Sequence, residues 1–242
     1  MLDTLESTAR RASAGLPSSV SHWAVRAVSE VSEQLAVRQG VAEAPRRSRD
    51  EGVMLTVVDG SGMGYAATSD TSQTGLRDAF AKAHALARAS AGKTVFDYAQ
   101  APRPVASGAY ASRVERPVAS AALADKLALL ARVNQASRFD ARVVDALTAL
   151  WSVDAEQLFF TSEGMRAEQR WAFLTPSIQV TARDNGVTQV RSSAGQYNGF
   201  ASRAGSRCSS ARASRPTANA SRARRSSWWS PATARAGAWT WC

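Results

Sequence analysis

At 242 residues, 45% hydrophobic and 21% charged, the chain can build one or two folded domains, and no stretch approaches the roughly 20 apolar residues that a membrane-spanning helix needs. The net charge of +10 would point to nucleic acid or an anionic surface. However, residues 201–242 hold eight arginines and no acid, so residues 1–200 carry only +2, and both cysteines, Cys208 and Cys242, also lie in that tail. A body without cysteine and without a secretory signal needs no oxidising compartment, and the cytoplasm is the expected location.

Residues 1–14 read as a short amphipathic helix and 15–19 as a linker. Alternating apolar positions at Trp23, Val25 and Ala27, then at Val31, Leu35 and Val37, predict strands before Gly40. Residues 41–47 form a weak, basic edge-strand candidate, because Pro45 cannot donate to a central ladder. Residues 53–58 are the most apolar strand, Asp59-Gly60 ends it, and 64–68 return as its partner, which gives a meander of antiparallel pairs. A helix is expected over 73–91, with Leu76, Phe80, Ala83 and Ala87 on one stripe, Ser72 as its cap and Gly92 beyond its end.

Residues 93–117, with three prolines and no period, read as a loop crossing between two lobes. A second helix over 120–136 should turn Leu123, Leu127 and Leu130 inward. Strands follow at 143–153, 157–161, 165–174, 178–183 and 187–191, with turns at Ser162-Glu163-Gly164 and Asn185-Gly186. This order predicts an α+β fold: antiparallel sheets packed with helices in two lobes, followed by a disordered basic tail. The expected divisions are 1–19, 20–92, a connection over 93–119, 120–200, and the tail at 201–242.

Few residues suggest chemistry. Gly60-Ser61-Gly62-Met63-Gly64 lacks both the third glycine of a dinucleotide fingerprint, where Tyr65 stands, and the Lys-Ser/Thr of a phosphate loop, so it reads as a hairpin turn. His22 and His84 are the only histidines, and no paired His or Cys offers a zinc set. His84 should sit at the margin of a core. Ser162 lacks the flanking glycine of a nucleophile elbow and reads as a turn residue. Asp145, Asp154, Glu156, Glu163 and Glu168 read as solvated charges near turns or on polar faces. No catalytic, cofactor-binding or metal residue is assigned.

The run from Glu51-Gly52-Val53 through Asp59-Gly60-Ser61-Gly62-Met63-Gly64-Tyr65 to Ser69-Asp70, with the helix after it, resembles the N-terminal domain of the TldD/PmbA family of metallopeptidases. Phe160-Thr161-Ser162-Glu163-Gly164, Glu168-Gln169-Arg170 and Gly195-Gln196-Tyr197-Asn198-Gly199-Phe200 resemble later segments of the same family, so the likeness spans about residues 20–200. The resemblance implies a cytosolic peptidase acting on peptides or partly unfolded chains. It also implies assembly from two related subunits, one of them carrying zinc on a His-Glu-x-x-x-His helix. That motif is absent here, so the family's zinc chemistry maps onto no residue of this chain.

The tail contains no Leu, Ile, Val, Met, Asp, Glu or Lys, yet holds four of the seven tryptophans. Reading its final Ala-Trp-Thr-Trp-Cys from the third base of the alanine codon permits Met-Asp-Leu-Val-Leu. A frameshift near residue 200 is therefore expected to have replaced the authentic continuation. Three functions follow as expectations: an inactive N-terminal portion of a metallopeptidase, a non-catalytic partner or binding subunit, and, ranked last, nonspecific nucleic-acid binding through the arginines. No specific nucleic acid and no membrane are expected as partners. If a missing half covers one sheet face, Phe159 and Trp171 should be exposed on it.

Overall fold

The computed structural model describes residues 2–114, 116–193 and the backbone of 202–203. It contains α1 (Leu2–Ser13), β1 (Val20–Arg38), β2 (Val41–Ala42), β3 (Arg46–Asp59), β4 (Gly62–Thr68), α2 (Gln73–Ser90) and β5 (Ser107–Ala111). Then come α3 (Leu123–Ser137), β6 (Val143–Thr161), β7 (Arg166–Asp184), β8 (Val187–Ser192) and β9 (Ser202–Arg203). All nine strands join one curled sheet with the main order β4-β3-β1-β6-β7-β5. The α+β class and the antiparallel pairing agree with the sequence. The two lobes are the two ends of a single sheet, each with its own core on the same face.

β1 is one strand of 19 residues where alternation suggested two. The polar run Ser29-Glu30 to Gln34 does not break it, because β3 and β6 supply hydrogen-bonding partners on both sides: Glu30 pairs with Asp50 and with Ala155. β6 and β7 are likewise continuous through Asp154-Ala155-Glu156 and Thr175-Pro176-Ser177. Ladder pairing is indifferent to side-chain polarity wherever no helix needs an apolar face. The basic edge strand expected at 41–47 divides differently. Val41–Ala42 form a two-residue strand on β1, and Arg46 and Arg47 already open β3, where they pair with Gln34 and Glu33 of β1.

α2 behaves as its sequence predicts. Ser72 accepts from the Gly75 amide at 3.1 Å, Leu76, Phe80, Ala83 and Ala87 are buried, and Gly92 takes φ +73° past the end. α3 starts at Leu123, not at Ser120, since residues 118–120 form a separate 3-10 turn. Its buried face is Lys126, Leu130, Val133, Asn134 and Ser137, so Leu123 points out at 43% exposure and Leu127 lies at the margin. The connection over 93–119 carries β5, which runs parallel to β7. Asn185 and Gly186, both at positive φ, turn β7 into β8 as expected. The 201–242 tail lies outside the described residues except for Ser202–Arg203, which pair with Leu174 and Phe173.

Candidate functional site

The structure absorbs most of the sequence candidates into its scaffold. Gly60 makes the β3–β4 turn at φ +58°. Gly62 and Gly64 serve a different purpose. A Cβ there would lie 2.0 Å from the Ala87 carbonyl oxygen and 2.1 Å from that of Ala83, so their lack of a side chain lets α2 rest directly on β4. His84 is at the core margin as expected. Its Nε2 stands 2.7 Å from Asp59 Oδ2, which also accepts from the Ser19 hydroxyl at 3.2 Å. Asp59 is 25 residues away in sequence, and local spacing could not have revealed it.

His22 Nδ1 lies 2.8 and 2.9 Å from the two oxygens of Glu163. Arg103 Nη1 sits 3.7 Å from the same carboxylate and donates to the Ser21 carbonyl at 2.8 Å. Burial pushes the Glu163 carboxyl up, but hydrogen bonds from His22, its own backbone amide and Thr161 outweigh it and hold the group below its ordinary value. Ser162 is a turn residue whose hydroxyl accepts from the Trp23 amide at 3.1 Å. Arg103 and this whole clip escaped sequence reading because its members come from β1, the 93–119 connection and the β6–β7 turn.

The remaining carboxylates sit within long strands more than at turns. Asp145 is held bidentately by Arg38, at 3.0 Å to each oxygen. Glu168 pairs with Arg166, which also donates to Glu6 at 2.9 Å. Glu156 pairs with Arg170 at 3.5 Å. Asp154, opposite Val31 and Ala172, is raised above its ordinary value by partial burial.

A zinc ion does not fit these donors. His22 and His84 each face one carboxylate, Glu163 already has a guanidinium beside it, and the described residues contain no group of three His, Cys, Asp or Glu that could hold a metal.

Among the described residues, the sheet face opposite the helices carries no covering element. On β6, the buried residues Thr148, Leu150, Ser152, Leu158 and Phe160 point toward the helices, and the alternate positions Trp151, Val153, Ala155 and Phe159 point away. Val153 is opposite Phe173 and Ala155 opposite Trp171. Trp151 and Phe173 are exposed at 38% and 37%, whereas Phe159 and Trp171 are half-buried by their neighbours. At one end of this face lies a groove of about 950 Å³, lined among others by Trp151, Gln34, Arg46, Thr175, Ser177 and Gln179. Such a lining can stack on and hydrogen-bond to an extended polar chain. Its charged lining residues are Glu43, Arg46 and Arg191.

The profile of PmbA/TldA metallopeptidase domain 1 matches residues 23–87, and that of the PmbA/TldA metallopeptidase central domain matches residues 116–234. A putative modulator of DNA gyrase from Bacteroides thetaiotaomicron aligns with TM-score 0.63 at 13% identity, covering 79% of this chain and 43% of its own. A putative modulator of a DNA gyrase from Thermotoga maritima aligns with TM-score 0.58 at 13% identity over 79% of this chain and 42% of its own. TldE from Thermococcus kodakarensis gives 0.54 at 13% identity over 78% and 42%. The chain thus spans less than half the length of these solved structures, and at this identity they speak for the fold alone. No curated protein matches it.

Proposed function

This chain belongs to the PmbA/TldD metallopeptidase family, and from that premise we propose that residues 20–193 serve as its peptide-positioning part. They would form a wall along which an extended substrate lies, without cutting it. The observation that carries this reading is the sheet face that no described element covers, with its groove lined in part by Trp151. A face of alternating aromatic and polar side chains offers stacking and hydrogen bonds in the two-residue rhythm of an extended peptide.

Hydrolysis, zinc, a cytoplasmic setting and a related partner subunit come from the family, and no metal donor set stands among the described residues. On this reading the purified chain binds unstructured peptide, quenching tryptophan fluorescence, and shows no chelator-sensitive cleavage. Trp151→Ala should weaken binding at least tenfold while leaving the melting transition in place. Binding indifferent to Trp151, or zinc-dependent turnover by this chain alone, would overturn the proposal.

A changed reading frame near residue 200 also remains our proposal, supported by the composition of 201–242. The central-domain match running on to residue 234 weighs the other way. Resequencing the DNA across that region decides it: a verified uninterrupted frame through Cys242 removes the idea.

A further inference from the structure

A second hollow lies on the helix side of the sheet, beyond the end of α3. It encloses about 450 Å³ between the residues that follow α3, the start of β6, the end of β7 and β8. Its apolar surface comes from Phe139, Val143, Val180, Ala182 and Val187. Val180 and Ala182 share their face of β7 with Leu174, which packs against the core under α3. Val143 joins them through a register shift. It pairs with Ala182 while Asp145 pairs with Thr181, so Val144 is the extra residue of a bulge. Val180 is buried, whereas Phe139 and Val187 are exposed at 50% and 58%.

The two ends of this hollow differ in charge. At one end Arg142 donates to both oxygens of Asp140, at 2.8 and 2.7 Å, and Asp184 acts on the same guanidinium as a second carboxylate. One cation between two acids leaves that end net negative. At the other end Arg191 Nη1 donates to Gln189 Oε1 at 3.3 Å and to the Val190 carbonyl at 2.8 Å. Both acceptors are neutral, so this end keeps the full charge of its guanidinium.

The ladder sets the spacing of the two ends. Asp184 is level with Val187, and Ala182 with Gln189. The Arg191 guanidinium that reaches Gln189 therefore stands two residues, roughly 7 Å, along the sheet from Asp184.

We propose that this hollow binds a free apolar α-amino acid, with its ammonium on Asp184, its carboxylate on Arg191 and its side chain against Phe139, Val143 and Val180. An α-amino acid carries both charges on one carbon, and with a charged hydrogen bond of about 2.8 Å at each end it bridges a gap of that length. An aromatic side chain gains further from the exposed ring of Phe139. An apolar carboxylate or amine satisfies one end and leaves the other bare. A peptide fits less well, because its terminal charges move apart with every residue added. The site requires neither the groove nor a bound peptide.

Isothermal titration of the full chain with L-phenylalanine tests it. Saturable one-to-one binding is expected, and 3-phenylpropanoate and 2-phenylethylamine, which each lack one charge, should bind at least tenfold more weakly. Asp184→Asn and Arg191→Gln should each weaken phenylalanine binding roughly tenfold without moving the melting transition. Asp184→Asn should leave 3-phenylpropanoate unaffected, since that ligand has no ammonium to lose. Trp151→Ala should change nothing here, because Trp151 lies on the other face of the sheet, so the hollow and the groove fail separately. No saturable binding, binding equalled by either one-charge analogue, or binding indifferent to both Asp184→Asn and Arg191→Gln would overturn the proposal.

Discussion

The two cores share one face of one sheet and are built on different physics. Under α1 and α2, Leu5, Val25, Leu55, Leu76, Phe80, Leu158 and Phe160 are buried to 2% exposure or less. Trp23 stands edge-on to Phe80 at 5.6 Å and to Phe160 at 6.1 Å, and the Arg10 guanidinium lies 5.6 Å from the Trp23 ring. Under α3 the buried cluster is only Leu35, Val37, Leu130 and Leu150, and at its centre sits Asn134, fully buried. Its amide donates to the Val37 and Ala146 carbonyls at 2.9 and 2.8 Å, and its oxygen accepts from the Gly40 amide at 2.8 Å. The first core holds by area and ring packing, while the second holds by polar groups that must all be satisfied.

Matched substitutions in the two cores decide whether this contrast holds. Phe160→Ala in the first core should cost the most, about 3–5 kcal/mol in urea unfolding, because a large buried ring leaves a cavity between two helices and the sheet. Asn134→Ala should cost about 2–3 kcal/mol, out of proportion to the few atoms removed, because the Val37 carbonyl and the Gly40 amide lose this side-chain partner and the Ala146 carbonyl is left with the Gln39 amide alone. If it costs less than about 1 kcal/mol, the second core is an ordinary apolar one and the contrast fails. Gly64→Ala should cost about 1–3 kcal/mol by lifting α2 from β4, since the added methyl meets backbone and cannot rotate away. A neutral result would mean that helix and strand are not pressed together there.

The same contrast explains what could be read from the sequence. The first core was largely legible, since Leu76, Phe80, Ala83 and Ala87 fall on a helical stripe with Ser72 and Gly92 at its ends, and 53–58 is an apolar strand with its return nearby. The second was not. The face of α3 is marked by Lys126 and Asn134, whose burial depends on Glu33 and on three carbonyl or hydroxyl acceptors far away in sequence, so a count of leucines rotated the helix toward Leu123. Strand lengths failed for a related reason: Glu30 and Asp154 look like breaks until both neighbouring strands are known. The groove at Trp151 left no local signal, because Gln34, Trp151 and Thr175 become neighbours only through the β1–β6–β7 register.

The smallest expected effect lies at the boundary of the first core, in the clip of His22, Glu163 and Arg103. Glu163→Gln keeps the shape of the side chain but removes the charge, and should cost about 1 kcal/mol or less at pH 7, in keeping with a partly exposed charged hydrogen bond. Its signature is the pH dependence. The folded Glu163 carboxyl is held below its ordinary 4.5, so its contribution is present above about that pH and is lost as pH falls through the lower folded value. Glu6 shifts in the same direction, since bonds to Arg10 and Arg166 outweigh its burial, and it remains in the variant. Urea unfolding between pH 6 and pH 3 should therefore show wild type and Glu163→Gln converging as the medium acidifies, with a residual slope common to both. Parallel curves with a constant gap would assign the effect of Glu163 to packing. The clip would then belong to the area-driven physics of the first core and owe nothing to its charge.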